Sequence, residues 1–221
     1  MNIAIFGGTF DPVHSGHLVA ARAAQAAFSL DQIHFVPARV PPHKRMRHLI
    51  PFSHRYAMVA LACAGVPEFI PSLLDAGEDE PAAPSYSINT VRKMKALIPP
   101  SDRLHYLIGV DAFLEIGQWN EAAALLDEAE FIVVSRPGFS IAHVAEAIPR
   151  ELRPSALSDH AISLRRTSVH LLTTVEADIS SSEIRRRAAK GASVCKLVPD
   201  SVAEYIHKLS LYHNEEHQNE E

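Results

Sequence analysis

The sequence predicts an α/β protein, a doubly wound and mainly parallel sheet with helices on both faces and a small helical portion near the C-terminal end. Three observations lead there. Short apolar runs alternate with longer amphipathic stretches along most of the chain. The first run ends in two glycines and passes directly into a helix start, as strands do where a ligand meets the edge of a parallel sheet. The 221 residues suit one domain, placed over 1–209, with 210–221 expected to form a polar, disordered tail.

The elements follow in order. NIAIF (2–6) reads as a buried strand, and alanine-rich GHLVAARAAQAAF (16–28) as a helix. QIHFVP (32–37) is a second strand stopped by Pro37. SHRYAMVALACA (53–64) is a helix with Ser53 as its expected N-cap. EFIPSLL (68–74) is an interrupted strand and SINTVRKMKAL (87–97) a helix. LHYLIG (104–109), EFIVVSRP (130–137) and SVHLLTT (168–174) complete the strands. A helix runs through IRRRAAKG, and a last one opens at Pro199, where a missing N–H does no harm. The stretches 39–51 and 75–86, rich in proline, glycine and charge, are loops long enough to suggest a function.

Composition sets bounds. A net charge of −5 argues against a general nucleic-acid surface while leaving room for one basic pocket. Cys63 and Cys195 match no zinc spacing and no disulfide framework. No apolar stretch approaches the ~20 residues of a membrane span, and the N-terminus lacks the basic region of a signal peptide. The chain is therefore expected to be cytoplasmic, with neither nucleic acid nor membrane as partner.

The chemistry concentrates in GGTFDPVHSGHL (7–18). Gly7 and Gly8 allow a ligand to approach the backbone, and the helix beginning near Ser15 turns its free N–H groups toward the same place, so the stretch reads as a phosphate site. A tight structural turn is the plainer alternative. His14 and His17, three apart on a first helical turn, project to one side and can donate to an oxygen gaining charge, or add charge if protonated. Two partly exposed histidines, or a metal pair lacking a third ligand, are the alternatives.

GGTFDPVHSGHL resembles the first signature of the nucleotidyltransferase superfamily, with its H-x-G-H element at His14–His17. ISSSEIRRRAAKG (179–191) resembles that superfamily's second element, with Ser182 where threonine is commoner. PARVPPHK (37–44), PSYSINTV (84–91), LIGVDAFLEIGQW (107–119), SRPG (135–138) and LVPDSVAEYI (197–206) narrow the likeness to the bacterial nicotinate-mononucleotide adenylyltransferases. It covers nearly the whole chain apart from 139–167 and the tail, and implies a Rossmann-like fold.

The implied reaction joins nicotinate mononucleotide to the AMP part of ATP and releases pyrophosphate. The attacking phosphate is already an anion, so positioning and charge stabilisation carry the catalysis. The resemblance implies catalytic roles for His14, His17, Lys44 and Arg185. It places ATP against Gly7, Gly8, Thr9, Phe10, His14, His17, Gly109, Asp111, Ser180, Ser181 and Arg185. Within this set Asp111 would hold the adenosine ribose, or else cap a helix. Nicotinate mononucleotide would meet Ser87, where the family has a threonine, Trp119, which stacks on the pyridine ring, and Lys44. Ser87 as an N-cap, Trp119 as a core residue and Lys44 as a solvated loop cation are the plainer readings. Of Arg185, Arg186 and Arg187, one should face the site, since successive residues point ~100° apart. Mg²⁺ would arrive on the ATP phosphates, with no protein ligand expected.

Overall fold

The computed structural model describes residues 1–42, 49–77, 83–135, 140–152, 158, 160–173 and 179–213. Its sheet consists of β1 (Asn2–Gly8), β2 (Gln32–Pro37), β3 (Phe69–Pro71), β4 (Arg103–Gly109), β5 (Glu130–Val134), β6 (Ala161–Ser163) and β7 (Ser168–Leu172). They lie in the order β3-β2-β1-β4-β5-β7-β6. All pairings are parallel except β6 with β7.

Side chains alternate across β1, and the two faces are filled separately. Ala4 and Phe6 join Phe35, Leu107 and Ile132 in a core closed by α1 (Ser15–Phe28), α2 (Phe52–Cys63), α7 (Ser181–Ala189) and α8 (Asp200–Lys208). Ile3 and Ile5 join Val36, Tyr106, Ile108, Phe131 and Val133 on the other face, under α3 (Ser87–Leu97), α4 (Val110–Phe113), α5 (Ala122–Glu128) and α6 (Ile141–Ala147). The expected doubly wound architecture is present. Among the described residues no helix is long and apolar enough to cross a membrane.

The differences from expectation are local. The third strand is shorter than the expected 68–74, β3 covering only Phe69–Pro71. Pro51, not Ser53, is the N-cap of α2, and Pro199 caps α8 from outside it. α4, α5, α6 and the antiparallel edge strand β6 were not read from the sequence. β6 lies within 139–167, the stretch that the resemblance does not reach. The boundary at 209 falls short, because Leu211 and Tyr212 are buried against the first core. The Tyr212 hydroxyl donates to Asp11 Oδ1 at 2.9 Å, tying the C-terminal end to the β1–α1 loop. Residues 214–221 of the expected tail lie outside the described residues.

Candidate active site

Strand order reverses at β1, whose neighbours are β2 on one side and β4 on the other. Chain connections leave in opposite directions there, and a crevice opens beyond the carboxyl ends of the two strands. A cleft of about 1030 Å³ occupies it. Gly7, Gly8, Thr9, His14 and His17 line one part, while Ser87, Tyr106, Gly109, Asp111 and Trp119 line the rest.

Gly7 and Gly8 are not the expected turn. Both belong to β1, paired with Val36 and Pro37. Their missing side chains answer to neighbours: a Cβ on Gly7 would collide with the Tyr106 hydroxyl, and one on Gly8 would lie 3.1 Å from the Phe10 ring. The turn comes next, with Phe10 at φ 49°. Phe10 was expected at ATP, but its ring is only 2% exposed and packs on Phe6, Phe35 and His17.

His14 is the N-cap of α1, one position before the helix, with His17 at the third helical position. The His14 amide N–H donates to His17 Nδ1 at 3.1 Å. This is the returning half of a capping box, with imidazole in place of the usual Glu or Gln. An Nδ1 that accepts carries no proton, so the His17 proton sits on Nε2 and makes that atom a donor. The two rings stack at 3.6 Å between centroids. Burial lowers the His14 pKa to about 4, so this ring is neutral at neutral pH and contributes a dipole rather than a charge. Its Nδ1 is buried without a hydrogen-bond partner among the described residues.

The C-terminal motif reaches this loop through side chains. Ser180 caps α7 by accepting from the Glu183 amide at 3.2 Å. The Ser181 hydroxyl donates to the Pro12 carbonyl at 3.0 Å. Arg185 donates to the Asp11 carbonyl at 2.7 Å and to Ser182 Oγ at 3.2 Å. Ser182 therefore keeps the hydroxyl that this contact needs without the commoner residue's methyl. Arg186 and Arg187 pair with Glu183 on the outer side, leaving Arg185 as the inward member of the run. Among the described residues Ser180, Ser181 and Arg185 do not line the cleft. In this structure Ser181 and Arg185 hold the loop that does, and Ser180 caps the helix that carries them.

Sequence reasoning missed Arg55, which is 1% exposed. Its guanidinium donates to the carbonyls of Thr9 (2.8 Å), Ala38 (2.7 Å), Arg39 (3.1 Å) and Ile50 (3.2 Å). It thereby joins the ends of β1 and β2 to the far end of the 39–51 loop. An arginine amid the apolar residues of a helix gives no sign that its partners are backbone carbonyls. Lys44, in the same loop, lies outside the described residues.

On the second part of the cleft, Gly109 is the N-cap of α4, and a Cβ there would meet nothing within 4 Å, so open space faces the backbone. Asp111 is exposed at the second position of α4, not at its cap. Trp119 is half-buried, packed against the second core with part of its surface on the cleft. Ser87 is the first residue of α3, whose N-cap is Tyr86, so the plain capping role is not what it performs. Its hydroxyl meets Tyr106 OH at 2.8 Å. Thr90, one turn on, donates to Asp75 Oδ1 at 2.8 Å, and burial raises the Asp75 pKa. Asp75, Thr90 and Tyr106 line the cleft too. Of these, Asp75 had a signal in the sequence through its place in the 75–86 loop and Thr90 through PSYSINTV (84–91), whereas Tyr106 had none as a site residue. Among the described residues no group of three or more His, Cys, Asp or Glu side chains could hold a metal ion.

A nucleotide-sized cleft at the switch point, with a histidine-capped helix on one side and an open glycine on the other, is that of a nucleotidyltransferase. The cytidylyltransferase-like family model matches residues 5–187, and the chain belongs to that family. It is 42% identical over 217 residues to the probable nicotinate-nucleotide adenylyltransferase of Geobacter metallireducens, covering 96% of this chain and 98% of the relative. It is 41% identical to that of Solibacter usitatus, covering 96% and 100%. Within the larger family, then, the chain is a member of the nicotinate-nucleotide adenylyltransferases. Its fold also matches the Plasmodium falciparum nicotinic acid mononucleotide adenylyltransferase complexed with NaAD, with a TM-score of 0.72, 21% identity and coverage of 96% and 97%.

Proposed function

We propose that the protein transfers the adenylyl group of ATP to nicotinate mononucleotide, forming deamido-NAD and pyrophosphate by direct in-line attack. A mononucleotide phosphate oxygen forms a bond to the α-phosphorus while the bond from that phosphorus to the bridging oxygen breaks. Pyrophosphate leaves with the electron pair. The nucleophile is an anion, so no base is needed.

The observation that carries the reading is the meeting of two unlike walls in one cleft. His17 Nε2–H and the neutral His14 stand on one wall, and Ser87 and Trp119 stand on the other. The first suits a phosphate gaining charge, because fixed dipoles stabilise it without reorganisation. The second suits a flat pyridine ring with a polar end group. ATP lies with its phosphates against Gly7–Thr9, the free N–H groups of α1 and His17, and with its ribose near Gly109 and Asp111. Lys44 adds a cation to the phosphates. Ser181 and Arg185 act by setting the loop on which His14 sits, and Ser180 by capping the helix that carries them. Mg²⁺ enters on ATP as part of the substrate, keeping waters and phosphate oxygens as ligands. The reaction runs in the cytoplasm, with no nucleic acid or membrane taking part.

Pyrophosphate release with ATP and Mg²⁺ tests this. Nicotinate mononucleotide, nicotinamide mononucleotide, pantetheine phosphate and no acceptor are compared. Release strongly favouring nicotinate mononucleotide, with a dinucleotide product of the matching mass, is expected. Preference for another acceptor would overturn the substrate and the roles of Ser87 and Trp119.

A further inference from the structure

We infer that Tyr106 is a specificity-determining positioning residue, whose buried hydroxyl sets the hydroxyl of Ser87 as a donor toward the cleft and so selects a carboxylate over an amide on the incoming mononucleotide. The inference rests on the proposed function and deepens it.

Tyr106 stands in the middle of β4 and is 4% exposed, with its ring against Phe131 at 5.3 Å. Its hydroxyl end lies against the Cα of Gly7, where no larger residue fits. Burial pushes the phenol up to about 12, so it keeps its proton at every working pH. That proton requires an acceptor. The one hydrogen-bond partner of the hydroxyl among the described residues is Ser87 Oγ, at 2.8 Å. Were Ser87 the donor, the phenol hydrogen would have no acceptor among the described residues, an arrangement that protein interiors avoid. Tyr106 therefore donates, Ser87 Oγ accepts, and the Ser87 proton is directed elsewhere. Ser87 lines the cleft, so its proton points to whatever binds there.

The neighbouring hydroxyl cannot serve instead, because the Thr90 proton is already given to Asp75 at 2.8 Å. The wall thus offers Ser87 as a donor whose direction has been set from behind. A carboxylate presents only acceptor oxygens and takes such a donor in either orientation, with a charge-assisted bond. An amide offers one neutral oxygen and turns a hydrogen-bearing nitrogen to the same place in its other orientation. Donation by the phenol also polarises the Ser87 hydroxyl and strengthens what it gives. A serine without the tyrosine behind it would rotate to suit either ligand.

The experiment is a double-mutant cycle read on selectivity. kcat/KM is measured with nicotinate mononucleotide and with nicotinamide mononucleotide for the wild type, Tyr106→Phe, Ser87→Ala and the double variant. Tyr106→Phe keeps the ring and is expected to lower the acid-to-amide ratio about 10-fold. The loss should appear as a raised KM for the acid with the KM for ATP unchanged, a split that a merely structural role would not produce. Ser87→Ala should lower the ratio similarly, and the double variant no further than Ser87→Ala, because Tyr106 acts through Ser87. An unchanged ratio in either single variant, or losses that multiply in the double variant, would overturn the inference. Should Tyr106→Phe fail to fold, the same ratio is read in Tyr106→Leu, which also lacks the hydroxyl, and an unchanged ratio there overturns the inference. A wild type that prefers neither mononucleotide overturns the proposed function as well, whereas a wild-type preference surviving in Tyr106→Phe overturns this inference alone.

Discussion

The two walls of the cleft are built in different ways. The wall that carries His14 and His17 is held from afar. Arg55 from α2, Ser181 and Arg185 from α7, and Tyr212 from beyond α8 all bond to residues 9–12. The Ser15 amide donates to the Leu197 carbonyl at 2.9 Å as well. The wall that carries Ser87, Gly109 and Trp119 stands on the starts of α3 and α4 and on a short turn, Ile116–Gln118, before Trp119. The contacts of Ser87 with Tyr106 and of Thr90 with Asp75 join side chain to side chain there. The lesson is one of tolerance. The wall proposed to present fixed dipoles to developing charge is anchored mostly through backbone carbonyls by distant side chains, whereas the wall proposed to choose the substrate is set by a few hydroxyls and one ring.

The largest expected effect concerns the stability of the first wall. His14 has a folded-state pKa of about 4 against an ordinary 6.5, because burial disfavours its charged form. The folded protein therefore binds fewer protons than the unfolded chain between those values. The stability in question is fully present above pH 6.5 and is lost as pH falls toward 4, by about 3 kcal/mol. His34 and His105 are lowered by burial too and act with the same sign, so the wild type must be compared with His14→Gln. Urea unfolding at pH 7.5 and pH 4 should show the variant losing about 3 kcal/mol less across the interval. Equal losses would mean that His14 titrates normally.

Next is His17→Ala. Removing a donor aimed at the charge of the transition state should cut turnover roughly 10²-fold or more. Near-normal turnover would take His17 off the catalytic wall and leave it as a helix cap. The smallest effect belongs to the second wall. Trp119→Ala should raise the KM for the mononucleotide about 10-fold, the loss of one stacked aromatic partner, with the KM for ATP nearly unchanged. Equal rises for both substrates would blur the two walls and return Trp119 to the core.

Much of this was legible along the chain. The alternation of apolar runs announced β1, β2, β4, β5 and β7, because strands buried on both faces need continuous apolar sequence. His14 and His17 were legible by spacing, since three residues on a helix bring two side chains to one side. β6 was not, because three residues at an antiparallel edge carry too little pattern to be read. The burial of Phe10 was not legible, for a physical reason. At φ 49° the backbone swings its ring into the core, which no neighbour in sequence reveals. Ser181 and Arg185 were legible as part of a motif but not as braces, because their partners lie some 170 residues away.

By itself the sequence determined the doubly wound sheet, a ligand site beyond the carboxyl ends of its strands and the residue types that suit phosphate chemistry, because periodicity and local spacing are properties of the chain alone. The tertiary structure decided which of those residues face the cleft and which hold others in place. It set the neutral state of His14 by burying it, made Gly7 necessary by laying Tyr106 across it, and brought Arg55 and Tyr212 to carbonyl and carboxylate partners far away in sequence. Burial, and hydrogen bonds between distant residues, exist only once the chain has closed on itself.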